Sequence, residues 1–211
     1  MRHALLVLGL LVGAPAAAAI HAVGQPATEL DVAIDAAGKP FKLAALRGRW
    51  IVLSVGAAWC GPCKDELPVW NKLAGELRGK VTFISLALDD DIVDGKAFHQ
   101  KLGVPNLVRA YLPEDRSQVA DRYGAQQMPA TFVIDPRGVI RHVQLGFDNR
   151  QAQREYQRLR TALDRLLPKP KPKPGTPPPA PSPSVSAVPA LVLPDQPHAM
   201  LWADHWPTLP F

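Results

Sequence analysis

Short apolar runs alternate with helix-spaced apolar stripes through the middle of the chain. Residues 50–55 form an apolar, β-rich run, which predicts a buried strand. Residues 64–78 carry apolar side chains three and four positions apart, the spacing of an amphipathic helix, and Gly79 is a suitable residue to end it. Residues 81–88 are again largely apolar and predict a second buried strand. The pattern therefore predicts a β-α-β unit.

Weaker patterns on either side of this unit predict further elements. Before it, residues 29–34 and 41–43 flank a turn and predict a short hairpin. Three acidic residues, Asp89 to Asp91, follow the unit and are interpreted as a solvated turn that caps the next helix rather than as a metal site. The later predicted elements are a helix at 94–101, an extended segment at 104–112, a short helix at 116–123, a β-hairpin over 127–145 and a final helix at 150–167.

Residues 1–22 have the pattern of a secretory signal peptide. Arg2 and His3 precede an apolar stretch, Ala4–Ala14, and small residues that offer cleavage sites follow it. The stretch is shorter than the ~20 residues of a membrane-spanning helix, and an uncleaved anchor is the alternative. No cysteine follows the segment, which argues against a lipoprotein. The pattern predicts export to the periplasm or to the outer face of a bacterial membrane.

The composition changes completely at Pro168. Residues 168–186 form a proline-rich linker, a composition that excludes a helix or a sheet interior. Its segment 168–184 is predicted to be extended, with a reach of roughly 50 Å. Residues 187–211 are apolar again and contain two tryptophans. Three interpretations stay open for this tail: it packs back on the domain, it docks on a partner protein, or it is an extension without a function. The domain itself is placed at residues 23–167.

The overall composition permits one domain of ordinary size, because 47% of the 211 residues are hydrophobic. The formal net charge is +5, but Lys and Arg are scattered or lie in the proline-rich tail. Nucleic-acid binding is not expected, since no basic patch is interleaved with aromatic residues. No cofactor or metal is predicted either: zinc would need two ligands besides the cysteines, and the six histidines show no paired spacing near them.

The chain has two cysteines, and they lie between the predicted strand and helix in the sequence Trp59-Cys60-Gly61-Pro62-Cys63. There the first cysteine is near the positive end of the helix dipole, which favours a thiolate. The second lies one turn on, from where it can attack a mixed disulfide formed on the first. Structural packing and zinc binding are the alternatives, but packing explains a lone Cys-x-x-Cys pair in an exported protein poorly. Dithiol redox chemistry is therefore predicted.

The residues after this loop indicate which kind of dithiol protein the chain resembles. The string Lys64-Asp65-Glu66-Leu67-Pro68 resembles the extracytoplasmic TlpA/ResA-like branch of the thioredoxin superfamily, in which an acid and a proline follow the second cysteine at these positions. The resemblance covers roughly residues 24–167. It implies a thioredoxin-like α/β fold: a central mixed sheet flanked by helices on both faces, an N-terminal β-hairpin and an insertion between the two halves. The peroxiredoxin pattern P-x-x-x-T-x-x-C is missing, which argues against a peroxidase.

Three residues are expected to carry the chemistry. Cys60 is the attacking thiolate and is expected to be the more exposed thiol, and Cys63 is the resolving thiol. Glu66 is expected to accept the proton of the resolving thiol, provided that burial raises its pKa toward neutrality. An exposed acid on the first helical turn is the alternative. Cytosolic thioredoxin has a buried acid six residues before its first cysteine, where this chain has Ser54.

Five residues are expected to bind the substrate: Trp59, Gly61, Pro62, Met128 and Pro129. Gly61-Pro62 matches the reducing type of thioredoxin. Met128-Pro129 resembles the cis-proline segment that faces the two cysteines, which would expose the backbone of Met128 to substrate. An ordinary proline at the start of a strand is the alternative. Trp59 is interpreted as a lid beside the first cysteine or as a core aromatic.

The resemblance implies a periplasmic thiol-disulfide reductase. Such an enzyme takes electrons from a membrane thiol donor and passes them to protein disulfides, for example in apocytochrome c or in copper-site proteins of oxidase assembly. Two alternatives stay open. One is a disulfide oxidant or isomerase that runs the same chemistry in the other direction, and the other is a module that binds a partner through its tail, with redox activity secondary.

Overall fold

Residues 21–112, 122–123 and 127–169 are described by the computed structural model, and they form a six-stranded mixed sheet with three α-helices. The strands are β1 Ile34–Asp35, β2 Trp50–Gly56, β3 Val81–Ala87, β4 Val108–Tyr111, β5 Ala130–Ile134 and β6 Ile140–Leu145. The helices are α1 Gly61–Glu76, α2 Ile92–Leu102 and α3 Ala152–Leu166, with 3-10 helices at Leu43–Leu46 and Asn149–Gln151. The order across the sheet is β1-β4-β3-β2-β5-β6.

The centre of the sheet is a parallel unit. Strands β2, β3 and β4 run parallel, with α1 and α2 as the crossovers between them. Strand β5 lies on the other side of β2 and runs antiparallel to it, with Ala130 opposite Val55. The end of β2 and the beginning of β5 therefore meet. This places the segment before β5 next to the loop that joins β2 to α1.

Buried side chains form two hydrophobic clusters, because successive strand residues point to opposite faces of the sheet. All three α-helices contribute to the cluster that contains Val52, Phe83 and Val133. The other cluster contains the alternate strand residues and is covered by the segment 30–43. Trp70 of α1 is 0% exposed and packs between the helix and the sheet.

The predicted central mixed sheet is confirmed, while the ends of several elements differ from the prediction. Helix α1 begins at Gly61 instead of residue 64, because Cys60 caps it and Pro62 fits its first turn. The final helix begins at Ala152, because Asp148 caps a preceding 3-10 helix. Gly103 ends α2 in a left-handed conformation, which glycine adopts without steric cost.

The N-terminal hairpin is shorter than predicted. Its turn is closed by the N–H of Asp35, which donates to the carbonyl of Lys39 at 2.8 Å. Only Ile34 and Asp35 form a strand, and they pair with β4. Residues 43–46 form a 3-10 helix instead of extending the hairpin, because the carboxylate of Glu29 accepts hydrogen bonds from the first N–H groups of that helix.

Four predicted segments lie wholly or mostly outside the described residues. They are the signal peptide at 1–22, the short helix at 116–123 in the insertion, the linker at 168–186 and the tail at 187–211. These interpretations stay predictions.

Candidate active site

The two cysteines lie where β2 gives way to α1. Cys60 and Cys63 form a disulfide with their sulfurs 2.00 Å apart. Cys60 is also the N-cap of α1, because its Sγ accepts a hydrogen bond from the backbone N–H of Cys63 at 3.3 Å. The sulfur thus lies at the positive end of the helix dipole and receives a backbone donor. Both features would stabilise a thiolate on Cys60 after reduction.

The expected difference in exposure between the two thiols is small. Cys60 is 5% exposed and Cys63 is 1% exposed. Cys60 is the more exposed of the two, as predicted, but it is not open to solvent. The reason is that both side chains pack into the hydrophobic cluster beneath α1.

Glu66 lies one helical turn after Cys63 and is only 1% exposed, so the alternative of an exposed acid is wrong. Its oxygens meet two neighbouring strands: Ser54 Oγ donates to Oε2 at 2.6 Å, and Thr131 Oγ1 donates to Oε1 at 2.9 Å. Ser54 and Thr131 are directly opposite each other in β2 and β5. Trp70 Nε1 donates to Thr131 Oγ1 at 3.2 Å. The carboxyl is thereby fixed between α1 and the sheet.

Burial raises the pKa of Glu66 from 4.5 to about 7. Hydrogen bonds from Ser54 and Thr131 favour the carboxylate and oppose this shift, as does the nearby N–H of Trp70, whose hydrogen-bond partner is Thr131. The negative charge of Glu155 adds to the shift and is its smallest contribution. A group with a pKa near neutrality can both accept and return a proton at physiological pH. The condition that the sequence analysis set for proton transfer by Glu66 is therefore met.

The peptide bond between Met128 and Pro129 is cis, so the alternative of an ordinary strand-start proline is wrong. The carbonyl of Pro129 accepts a hydrogen bond from the N–H of Gly146 at 2.7 Å, which ties this segment to the end of β6. Met128 is half-buried and packs against both hydrophobic clusters. Because Ala130 is opposite Val55, the segment lies at the same edge of the sheet as the cysteine loop.

The other predicted substrate-binding residues are exposed around the disulfide. Trp59 is 61% exposed, so it belongs to the surface and not to the core. Gly61 and Pro62 are exposed as well. An open groove of about 390 Å³ lies beside Trp59, and its other lining residues are Ala58, Lys64, Asp89, Asp94, Ala97, Phe98 and Lys101.

The interpretation of Asp89 as part of a solvated turn is wrong. Asp89 is 4% exposed, and its Oδ1 accepts a hydrogen bond from the N–H of Ala58 at 2.8 Å. The carboxyl end of β3 and the cysteine loop lie at the same edge of the sheet, so the first acid of the run satisfies a donor of the loop. Asp91 does cap α2, as predicted, through the N–H of Val93 at 2.8 Å.

Two residues of the site were not identified from the sequence. A Cβ on Gly56 would lie 2.8 Å from Cys63 Sγ, so the missing side chain makes room for the sulfur. Thr131 holds the carboxyl of Glu66. A signal for this contact was present: Ser54 and Thr131 are polar residues in apolar strands, and buried polar groups are nearly always hydrogen-bonded.

The described part of the chain contains no group of three or more His, Cys, Asp or Glu side chains that could hold a metal ion. Within the same residues, no helix combines the length and the apolar character needed to cross a membrane.

The sequence of the chain is similar to those of known proteins. Residues 23–143, more than half of the chain, match the model of the AhpC/TSA family. The chain belongs to the AhpC/TSA family. Its curated relatives include the thiol-disulfide oxidoreductase ResA of Bacillus subtilis strain 168, which is 30% identical over 132 residues, covering 59% of this chain and 69% of ResA. The thiol:disulfide interchange protein DsbE of Yersinia pestis is 33% identical over 122 residues, covering 57% and 62%.

A solved structure of a thiol:disulfide interchange protein also resembles this AhpC/TSA-family chain. The crystal structure of a DsbE-type thiol:disulfide interchange protein from Chlorobium tepidum matches with a TM-score of 0.57 and 26% identity, covering 69% of this chain and 99% of that one. The predicted thioredoxin-like fold is confirmed. Together with the Cys60–Cys63 disulfide, the relatives identify the chain as a redox enzyme, a thiol-disulfide oxidoreductase of the ResA/DsbE type.

Proposed function

We propose that this enzyme is an exported reductase that reduces the disulfides of secreted proteins. The observation that carries the proposal is the Cys60–Cys63 pair at the N-terminus of α1, with the buried carboxyl of Glu66 one turn further along the helix. The Gly61-Pro62 dipeptide between the cysteines supports the reducing direction, because it matches the reducing type of thioredoxin and contains no histidine.

The first step is attack by Cys60. In the reduced enzyme its thiolate is stabilised by the N-terminus of α1 and by the N–H of Cys63. The thiolate attacks one sulfur of the substrate disulfide, the substrate S–S bond breaks, and the other substrate sulfur leaves as a thiolate. The product is a mixed disulfide between Cys60 and the substrate.

The second step is resolution by Cys63. Its thiolate attacks the sulfur of Cys60, the mixed disulfide breaks, and the second substrate sulfur leaves as a thiolate. The Cys60–Cys63 disulfide forms, and two electrons have moved from the cysteine pair to the substrate. A thiol donor at the membrane then returns the pair to its reduced form by the same exchange in reverse.

Glu66 handles the proton of the resolving step. Cys63 must lose its proton before it attacks, but at 1% exposure it has little contact with bulk water. Glu66 follows three residues later on the same helix, is equally buried and has a pKa of about 7. In the proposal its carboxylate takes the proton from Cys63 and returns it when the donor reduces the disulfide.

The substrate is held by the exposed surface around the disulfide. Trp59, Gly61 and Pro62 lie on one side, and the backbone of Met128 before Pro129 pairs with an extended substrate segment on the other. The signal-like N-terminal 22 residues support a periplasmic location. Disulfides of secreted proteins, such as apocytochrome c or copper-site proteins of oxidase assembly, are the proposed substrates.

Trapping of the mixed disulfide tests this proposal. A Cys63→Ser variant should accumulate adducts through Cys60 in periplasmic extracts, because the second step cannot occur. The adducts are detected on non-reducing gels and identified by mass spectrometry. Cys60→Ser is the matched control and should capture little, since the remaining thiol is almost completely buried. If Cys63→Ser forms no adducts while the wild type reduces disulfides in the same extract, the proposed attack is wrong.

A further inference from the structure

A row of polar side chains crosses the sheet beneath the helices. Ser54 on β2 is opposite Thr131 on β5, and Thr131 is in turn opposite Gln144 on β6. Directly opposite residues point to the same face, with Cβ atoms about 5 Å apart. The three residues are 3%, 0% and 1% exposed. Glu66 binds the first two, so the row continues from the buried carboxyl toward α3.

The far end of this row is a second carboxylate. Gln144 Nε2 donates a hydrogen bond to Oε2 of Glu155 on α3 at 2.9 Å. The side chain of Glu155 is 15% exposed, and the same oxygen lies 3.9 Å from Arg158 Nη1. The buried amide of Gln144 therefore holds the carboxylate of Glu155 at the end of the row.

Among the residues that the structure describes, Glu155 is the charged group that acts on Glu66. Glu66 is faced by the neutral hydroxyls of Ser54 and Thr131 and by Trp70 and Cys63 of its own helix, and α3 contributes Glu155. On β6, the pKa of His142 is lowered by burial and by the charge of Arg158, against an opposing hydrogen bond to Gln144, so His142 is neutral at pH 7. Arg158 is 55% exposed and lies 3.9 Å from the carboxylate of Glu155, so water weakens its opposing charge without removing it.

We propose that Glu155, held in place by Gln144, is a positioning residue that keeps Glu66 protonated while the Cys60–Cys63 disulfide is closed. A negative charge held in a water-poor region disfavours a second negative charge nearby. In the protonated form, Glu66 can donate its proton to Ser54 Oγ, at the 2.6 Å distance seen there, while it still accepts from Thr131. This inference deepens the proposed function, since it rests on Glu66 as the proton-handling group.

Direct titration of Glu66 tests the inference. The carboxyl carbon of Glu66 is followed by NMR against pH in the oxidised protein and is assigned with a Glu66→Gln variant. Glu155→Gln keeps an oxygen that accepts from Gln144 but removes the charge. We expect the titration midpoint of Glu66 to shift to lower pH in this variant, because removal of a nearby negative charge lowers its proton affinity. Glu155→Asp keeps the charge and should restore most of the wild-type affinity.

A matched control lies on the same pair of helices. Glu76 of α1 accepts hydrogen bonds from Tyr156 and Arg160 of α3, but it is ten residues, about 15 Å along the helix, from Glu66. Glu76→Gln should therefore leave the titration of Glu66 unchanged. The pH profile of Cys63 attack on a preformed Cys60 mixed disulfide gives a second measure: its rise should move to lower pH in Glu155→Gln and stay in place in Glu76→Gln.

The outcomes separate this inference from the proposed function. A Glu66 titration that is the same in Glu155→Gln and in the wild type would overturn the role of Glu155, whatever the activity of the enzyme. A shifted titration supports that role even if Glu66→Gln keeps full reductase activity. That second result would instead overturn the proton transfer assigned to Glu66.

Discussion

Glu66 is a carboxyl group kept away from water, and this has consequences for stability as well as for chemistry. Its pKa is raised by burial from 4.5 to about 7, so between these pH values the native state holds a proton that the unfolded state has lost. The unfolded chain binds fewer protons in this window, and Glu66 therefore makes the folded protein less stable as pH rises through it. Above the window the penalty is constant.

We expect Glu66→Gln to become progressively more stable than the wild type as pH rises. The amide has no titration, so the difference in unfolding free energy between the oxidised proteins should change by ~3 kcal/mol in favour of the variant between pH 4 and pH 8. Denaturant unfolding at a series of pH values measures this difference. A difference that is the same at both ends of the series would show that Glu66 titrates normally in the folded protein.

The residues that the sequence identified are those with local signals. Cys60, Cys63 and Glu66 lie within seven positions of each other, and Pro129 has a recognisable string around it. The polar character of Thr131 in an apolar strand indicates a buried hydrogen bond but not its partner, because the contact with Glu66 spans 65 positions of the chain. Contacts of this kind depend on which strands become neighbours, and the pattern of a single segment does not predict the order of strands in the sheet.

At the junction between β2 and α1, the last residue of the strand limits the space available to the cysteine pair on the helix. β2 ends in Gly56, whose missing side chain leaves the space occupied by the sulfur of Cys63. In the oxidised protein this sulfur is held by the bond to Cys60 and cannot move aside. In the reduced protein that bond is absent, so it no longer fixes the rotamer of Cys63. A larger residue at position 56 should therefore strain the oxidised form more than the reduced form.

We expect Gly56→Ala to raise the reduction potential of the cysteine pair. A methyl group at 2.8 Å from sulfur overpacks the site, at a cost of about 1–3 kcal/mol in the oxidised form. Since 30 mV corresponds to about 1.4 kcal/mol, the potential should rise by roughly 20–60 mV. The unfolding free energies of both redox forms give an independent check. The oxidised variant should lose more stability than the reduced variant. Equal losses in the two forms would contradict the steric explanation.

Elements with long periodic or apolar runs were predictable, and short elements set by side-chain contacts were not. β2, β3 and α1 follow from their patterns alone. The N-terminal hairpin was overestimated, because Glu29 holds the following residues as a 3-10 helix. Asp89 was misinterpreted for a similar reason, since its partner Ala58 lies 31 positions away on a different loop.

Across the whole domain, a second buried group responds to pH in the opposite direction to Glu66. His99 of α2 is 1% exposed, and its Nε2 lies 2.8 Å from Ser85 Oγ on β3. Burial, helped by the charge of Arg109, lowers the pKa of His99 from 6.5 to about 4. The unfolded state binds a proton at this histidine between these pH values and the folded state does not. Stability from His99 is therefore present above pH 6.5 and is lost as pH falls toward 4.

We expect His99→Gln to tolerate acid better than the wild type. Relative to the wild type, its unfolding free energy should gain ~3 kcal/mol between pH 7 and pH 4, and the amide can still bond to Ser85. Because Glu66 and His99 share no partner among their recorded hydrogen bonds, the pH effects should add in the double variant. Strong non-additivity in the unfolding titrations would show that the two sites are coupled.

The reduction potential of the Cys60–Cys63 pair distinguishes a reductase from an oxidant, because it sets the direction in which this dithiol transfers electrons. It is measured by equilibration with a dithiol redox buffer at pH 7, followed by alkylation and mass spectrometry of the free thiols. We predict a value in the region of thioredoxin, about −270 mV, at which the pair reduces the disulfides of secreted proteins. A value near −120 mV, typical of a strong dithiol oxidant, would contradict it.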